Sequence, residues 1–323
     1  MAATSYGVAV IGLGIMGRRM IANLGRHPRF SIQAAWDPSS EAVAAATAEH
    51  PDLAVVPDAA SATGGLADLV YIACPPAFHR IHALAAMAAG KAVLCEKPLG
   101  TDAAESRDLV DRLEAAKVPN AVNFIQASCR AVETIAGALK DGSMGQIRGI
   151  SVGVHFARWP RDWQVTADWL RFRAEGGFTR EVLSHYVFLI ERLLGPAKLL
   201  GSTPVFQSDP ALCETHITAA LRAGGVPVTI VGGTGGAGPD RVEMLVHGDR
   251  RSYRLHDWFW LQMAQGNEAW SPVIASEHDA RGEGFTRQLD NMAAWLDGRP
   301  HHIASARDAL SVQNLIEGML AQA

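Results

Sequence analysis

The hydrophobic positions of the first 125 residues fall into short runs separated by amphipathic stretches. Val8-Ala9-Val10-Ile11 is one such run, and it leads directly into a glycine-rich turn. Beyond the turn, apolar residues at 15, 16, 20, 21 and 24 recur with helical spacing. The pattern then predicts a strand over 30–36, an alanine-rich helix over 40–49 and a short strand over 53–56. A strand over 69–73 and a helix over 77–89, closed by Gly90, come next. A strand over 92–95 precedes an amphipathic helix over 102–117, with Leu109, Val110 and Leu113 on one face. The last strand of the series is expected over 121–125. Strands alternating with helices predict a parallel sheet covered on both sides.

After residue 125 the rhythm changes. A helix over 130–140, a turn over 142–145 and a strand over 147–157 are expected. Gly176-Gly177 opens a long helix that runs to Leu194 and is closed by Gly195-Pro196. From 199 to about 263 the reading is strands and hairpins; 216–221 and 241–247 alternate with period two, and 232–238 and Gly248-Asp249 supply turns. Helices over 285–296 and 304–320 close the chain. The expectation is two domains, 1–125 and 126–323, in keeping with roughly 150 residues per domain.

Composition narrows the function without changing the fold. With 48% hydrophobic residues the chain can build a sizeable core, and a net charge of −4 with no basic block argues against nucleic acid as a partner. No apolar run reaches the roughly 18 residues of a membrane span, and the residues before Val8 carry no Lys, Arg or apolar h-region of a secretory signal. Cys74, Cys95, Cys129 and Cys213 stand alone with no C-x-x-C pair. That spacing suits reduced thiols in a cytoplasmic protein and argues against structural zinc, so no metal site is expected.

The glycine turn carries the first chemistry. Gly12-Leu13-Gly14-Ile15-Met16-Gly17 is G-x-G-x-x-G between a strand and a helix, the context of a dinucleotide site. Gly12 permits the tight turn, Gly14 lets the backbone approach a pyrophosphate, and Gly17 lets the helix pack close to the strand. The free amides and the positive end of the helix dipole hold phosphates. An acidic residue is expected after the second strand to hold a ribose hydroxyl, and Asp37 follows the strand over 30–36. Asp37 favours NAD over NADP, because a carboxylate repels a 2′-phosphate; Arg18 and Arg19 keep NADP open. Ligands of such sheets bind beyond the carboxyl ends of the strands. Gly12 to Gly17, Asp37, Cys74-Pro75-Pro76 and Glu96-Lys97-Pro98 all fall at strand ends, so they are expected along one edge. His79, in the first turn of the helix after Pro75-Pro76, is a candidate cofactor contact or a plain capping residue.

Gly90-Lys91-Ala92-Val93-Leu94-Cys95-Glu96-Lys97-Pro98-Leu99 resembles the signature of the glucose–fructose oxidoreductase, inositol dehydrogenase and rhizopine catabolism (Gfo/Idh/MocA) family. Cys74-Pro75-Pro76-Ala77-Phe78-His79 and the glycine fingerprint match that family in order and spacing. The resemblance implies a Rossmann-type α/β parallel-sheet domain followed by an α+β domain with a large, mainly antiparallel sheet, often used to form a dimer or tetramer. It implies that Lys97 lies beside the nicotinamide and the substrate. The family's Gly-Gly, Asp-x-Gly-x-His and helix ending in Leu-Gly match Gly176-Gly177 and the helix to Leu194, which puts the catalytic histidine at His185 and its carboxylate at Glu181. Glu181 replaces an aspartate, Leu183 a glycine, and Phe188 stands where many relatives carry an aspartate.

These residues suggest a hydride-transfer enzyme acting on a secondary alcohol of a sugar, polyol or related hydroxy compound. The nicotinamide accepts the hydride, and an imidazole titrates near working pH and can act as the base. Lys97 would hold the alcohol oxygen, or itself be the base if burial lowers its pKa. Arg158, Trp159 and Trp163, in an irregular segment before the His185 helix, are candidates for substrate contact, as Trp can stack on a sugar face and Arg can hold a carboxylate; a subunit interface would use the same residue types. Two other readings share this fold: a dinucleotide-binding sensor without turnover, and an NAD-dependent glycosidase that gives no net NADH.

Overall fold

The computed structural model describes residues 5–274 and 280–321. Residues 1–4, part of the stretch in which no secretory signal was read, lie outside the described residues. The chain divides into two compact units, one of Met1–Phe124 with Phe285–Leu310, the other of Ile125–Gly284 with Ser311–Ala323.

The first unit starts with β1 (Tyr6–Ile11), α1 (Ile15–Leu24), β2 (Phe30–Trp36), α2 (Ser40–Glu49) and α3 (Ala59–Gly64). It continues with β3 (Leu69–Ile72), α4 (His79–Ala88), β4 (Ala92–Cys95), α5 (Ala103–Ala115) and β5 (Asn120–Val122). The five strands form one sheet in the order β2-β1-β3-β4-β5, every pair parallel. Because all five run the same way, all five carboxyl ends lie along one edge. Backbone bonds extend each pairing one residue past the strand: Gly12 N to Trp36 O, Ala73 N to Ile11 O, Glu96 N to Ile72 O and Asn123 N to Cys95 O. The edge is therefore fixed by the sheet itself.

Local sequence explains most of these elements. Ser39 caps α2 by accepting from Ala42 N, and Asp102 caps α5 by accepting from Glu105 N. Three expectations are corrected. The strand over 53–56 is only an isolated bridge, Ala35 to Val55, on the outer side of β2. The helix α3 was not expected; Asp58 caps it by accepting from Ser61 N, but it ends within six residues at Gly64-Gly65. The strand over 121–125 shortens to Asn120–Val122, and a 3₁₀ turn over Ile125–Ser128 follows.

The core of this unit joins Val8, Val10, Leu13, Met20, Leu69, Tyr71 and Leu94 to Leu289, Met292, Ala293 and Ile303. The last four come from a C-terminal stretch far away in sequence. Two polar contacts fix the same stretch: Val122 N donates to Ala304 O, and Gln288 Nε2 donates to Asn123 Oδ1 at 2.9 Å.

The second unit holds α6 (Arg130–Lys140), β6 (Ile147–Phe156), α7 (Ser184–Leu194), β7 (Ala197–Phe206), β8 (Glu214–Ala223) and β9 (Val226–Thr234). It adds β10 (Arg241–Gly248), β11 (Arg251–His256), β12 (Trp260–Gln265) and β13 (Ser271–Ile274). Helices α8 (Ala280–Leu296) and α9 (Ala306–Ala321) each cross the division between the units. The eight strands pair in the order β13-β12-β11-β10-β6-β9-β8-β7, antiparallel except for β6 with β9. Period-two alternation puts Ile217, Ala219, Leu221, Val228 and Ile230 in the core. The opposite face carries Val205, Thr218 and Val231, which are exposed. Among the described residues no helix is long and apolar enough to cross a membrane.

Candidate active site

In the first unit the glycine turn is shaped by three different steric demands. Gly12 has φ +98°, and a Cβ there would lie 2.6 Å from the backbone of Ala73 and Cys74 at the end of β3. A Cβ on Gly17 would overlap the carbonyl oxygen of Gly12. Gly14 is exposed, with open space where its Cβ would be. No side chain caps the start of α1. An exposed backbone at a helix N-terminus is what a pyrophosphate requires. Ile15 and Met16, half-buried, begin that helix.

Asp37 is held rigidly at the end of β2. Its Oδ2 accepts from Leu13 N at 2.7 Å and its Oδ1 from Ser39 N at 2.8 Å. The carboxylate is thus tied to the glycine turn. Arg18 Nε lies 3.2 Å from Glu49 Oε1, so that arginine is engaged within the fold. Asp37→Ala is expected to raise the Kd for NAD about tenfold or more, the scale of a hydrogen bond to a charged group. The lost anchor at Leu13 weakens both cofactors, so the ratio is the informative quantity. Fluorescence titration with NADH and NADPH measures it; an equal loss for both would remove the basis for NAD preference.

The turn that carries Lys97 is anchored on both sides. Before it, Glu96 is buried, and its Oε1 accepts from the Tyr71 hydroxyl and from Asn123 Nδ2 at 2.6 Å. Gln288 in turn donates to Asn123. Burial and the adjacent Glu96 carboxylate push the Tyr71 phenol well above its usual range. After Lys97, the carbonyl of Pro98 lies 2.9 Å from His79 Nδ1, while His79 Nε2 lies 2.8 Å from the carbonyl of Cys74. His79 is fully buried, which pushes its imidazole down to about 4 against the opposing pull of those carbonyls. Its two ring nitrogens thus face carbonyl oxygens on both segments. Its place in the fold is to join the end of β3 to the Lys97 turn, and Glu96 likewise works inward. His79 is the candidate cofactor contact named above, and its side chain, like that of Glu96 at the same sheet edge, is engaged with the protein. Cys74 is partly buried, which pushes its thiol up to about 12, so it stays protonated. Pro75 is exposed and Lys97 half-buried; the Lys97–Pro98 peptide is cis.

In the second unit the expected helix from Gly176-Gly177 begins differently. Its first turn, Thr179–Leu183, is π-helical, with Ser184 N donating back to Thr179 O, and α7 follows. π turns recur at functional sites. Glu181 sits within the wide turn and His185 just after it, so the two straddle the change of pitch. The glycines upstream have a steric cause. A Cβ on Gly176 would overlap the Leu170 carbonyl, and one on Gly177 (φ +98°) would lie 2.5 Å from Glu214 Oε2. Glu214 is buried and accepts from Thr179 N at 2.8 Å. Burial pushes its carboxyl upward, with the Thr179 contacts and Arg180 opposing. Arg180 locks the same turn: it donates to Arg173 O and Gly176 O and pairs with both oxygens of Glu317.

An aromatic cluster stands beside this turn. The Arg161 guanidinium lies 4.7 Å from the ring centre of Trp163, 4.9 Å from Phe156, 5.7 Å from Trp258 and 5.8 Å from Trp159. Arg161 Nε donates to Gln164 Oε1, and Gln164 Nε2 donates to Glu181 Oε1 at 3.4 Å. Trp159 Nε1 donates to Leu170 O, and Trp163 is 47% exposed, which leaves ring surface for a ligand. Trp258 lies edge-on to His185, ring centres 5.6 Å apart. Arg158, a candidate substrate contact, instead points to solvent and pairs with Asp162. Arg161, Gln164, Trp258 and Glu214 were not singled out from sequence. Arg161 lies in the segment that drew attention, but which of several arginines faces the rings depends on an irregular backbone. Among the described residues no cluster of three or more His, Cys, Asp or Glu is arranged to hold a metal.

Residues 6–124 match the family model described as "Oxidoreductase family, NAD-binding Rossmann fold", GFO_IDH_MocA. Levoglucosan dehydrogenase of Pseudarthrobacter phenanthrenivorans is 28% identical over 181 residues, 54% of this chain and 44% of that protein. Inositol 2-dehydrogenase of Rhodococcus jostii is 31% identical over 143 residues, 43% of this chain and 39% of that protein. The chain thus matches less than half the length of either relative. Among solved structures, the WlbA dehydrogenase from Bordetella pertussis, in complex with NADH and UDP-GlcNAcA, has a TM-score of 0.84 at 21% identity, covering 100% of this chain and 96% of that one. Levoglucosan dehydrogenase in complex with NADH also gives 0.84, at 18% identity, covering 99% of this chain and 97% of that one. The parallel-sheet domain followed by a large, mainly antiparallel sheet is the architecture of these enzymes. Residues 6–124 thus match the Gfo/Idh/MocA oxidoreductase family in sequence, and the whole chain is similar in fold to these dehydrogenases.

Proposed function

We propose that this protein is an NAD-dependent oxidoreductase that moves a hydride between the nicotinamide and a secondary alcohol of a sugar, polyol or related hydroxy compound. The observation that carries this reading is the single sheet edge that presents the Gly12–Gly17 turn, Asp37 and the doubly anchored Lys97 turn. Gly14, Ile15 and Met16 at the helix start would hold the pyrophosphate, and Asp37 the adenosine ribose. NAD, when bound, supplies the hydride acceptor. Lys97 Nζ holds the alcohol oxygen and stabilises the negative charge that develops there. His185 takes the hydroxyl proton, and Glu181 orients the substrate or the imidazole. Trp163 and Trp159 offer faces for a sugar ring. The dehydrogenase names of the relatives support this substrate class.

The protein is further proposed to act in the cytoplasm, which suits a chain whose four cysteines include no C-x-x-C pair. It is also proposed to form homo-oligomers through the second sheet, where Leu200, Val205 and Val231 are about half exposed.

A panel of sugars and polyols with NAD and NADP, followed by absorbance of the reduced cofactor, tests the activity. Net NADH from at least one substrate is the expected result. Sugar released without NADH would point to a glycosidase. Cofactor binding with neither would point to a sensor.

A further inference from the structure

Resting on that reading, we propose that Trp258 is a positioning residue for the reaction: it fixes the plane of the His185 imidazole and joins it to the Arg161 cluster. The tight turn between β11 and β12 puts Asp257 (φ +46°) and Trp258 (φ +75°) in the left-handed region. Aspartate visits that region readily, whereas a bulky aromatic residue there is an outlier that its surroundings must enforce. The enforced backbone carries the indole to a specific place. It stands edge-on to His185 at 5.6 Å and 85°, stacks on Tyr186 at 6.2 Å and 29°, and lies 5.7 Å from the Arg161 guanidinium. Three rings on two elements are thereby locked with a cation.

A second cost falls at the same place. The hydroxyl of Tyr186 and that of Ser184 are buried with no hydrogen-bond partner among the described residues. A packing arrangement chosen for stability alone would avoid both the left-handed indole and the unsatisfied hydroxyls. Sub-optimal contacts clustered around one histidine mark a site shaped for the orientation of that histidine. An edge-on indole blocks rotation of the imidazole plane.

The test compares Trp258→Ala, Trp258→Phe and wild type in the full chain. The alanine variant is expected to lose about tenfold or more in kcat with little change in KM for NAD. The phenylalanine variant, which restores an aromatic edge, is expected to recover most of the loss. Nitrogen NMR of ¹⁵N-histidine-labelled protein, with His185 assigned by its absence in His185→Asn, gives a readout independent of turnover. The His185 nitrogen shifts are expected to move in Trp258→Ala, because loss of the indole edge lets the ring plane turn and changes the surroundings of both nitrogens. Unchanged His185 nitrogen shifts, a kcat within twofold of wild type, or no recovery by phenylalanine would each overturn the proposal. A wild type that oxidises nothing in the panel would sink the dehydrogenase reading alone, because the nitrogen shifts still decide the role of Trp258.

Discussion

Lys97→Ala is expected to leave NADH binding nearly intact and to lower kcat by about 10²–10³-fold, the scale of removing one preorganised donor at a developing oxyanion. The expected split has a structural cause. The residues that would hold the dinucleotide are Gly12, Gly14 and Asp37, and Asp37 is tied to the glycine turn through Leu13 N. The turn itself is kept in place by neighbours on either side: Glu96 through Tyr71 and Asn123, and the Pro98 carbonyl through His79. Removing the ammonium should therefore delete a charge without moving the backbone. Steady-state kinetics beside a fluorescence titration of NADH measures both quantities. A kcat unchanged in the variant would refute the assignment, and a large rise in the NADH Kd would show that Lys97 serves the cofactor instead.

The second large effect is expected at His185. His185→Asn keeps a polar side chain of similar reach but cannot take up a proton, and kcat should fall by about 10²–10⁴-fold, the range for general acid–base groups. The residue is 8% exposed and is followed by a helix in which every residue through Ile190 is buried, so its backbone is well fixed. Steady-state kinetics of the variant beside wild type measures the loss. A variant with the wild-type kcat would move the base to another group, with Lys97 the first to be tried.

Much of the first unit was legible because its physics is local. A strand with both faces buried reads as an apolar run, and β1, β3 and β4 show this pattern. Caps at Ser39 and Asp102 announce their helices. The weak points were also local. The apolar residues at 53–56 satisfy a strand pattern, but they make only the single Ala35 to Val55 bridge, so no strand forms. The wide first turn over Thr179–Leu183 is invisible to a period of 3.6, since it arises from anchors such as Glu214 and Glu317 far away in sequence.

The site divides the same way. Gly12, Gly14, Gly17, Asp37 and Lys97 are marked by motifs whose spacing is set by a strand, a turn and a helix. Arg161 and Trp258 belong to no motif. They meet because an irregular segment and the β11–β12 turn converge, and only packing decides which side chains face each other.

By itself, then, the order of residues determined that a parallel sheet with a nucleotide-type turn would form and which strand ends would carry chemistry, because alternation and glycine placement act over a few residues. Tertiary structure decided that Leu289, Met292 and Ile303 complete the first core, that Gln288 supports Asn123 behind Glu96, that His79 faces inward, and that Trp258 meets His185. Gln288 and Asn123 are 165 positions apart, and the core partners farther still; at that range burial of shared apolar surface and satisfaction of buried polar groups select the partners, not the local pattern.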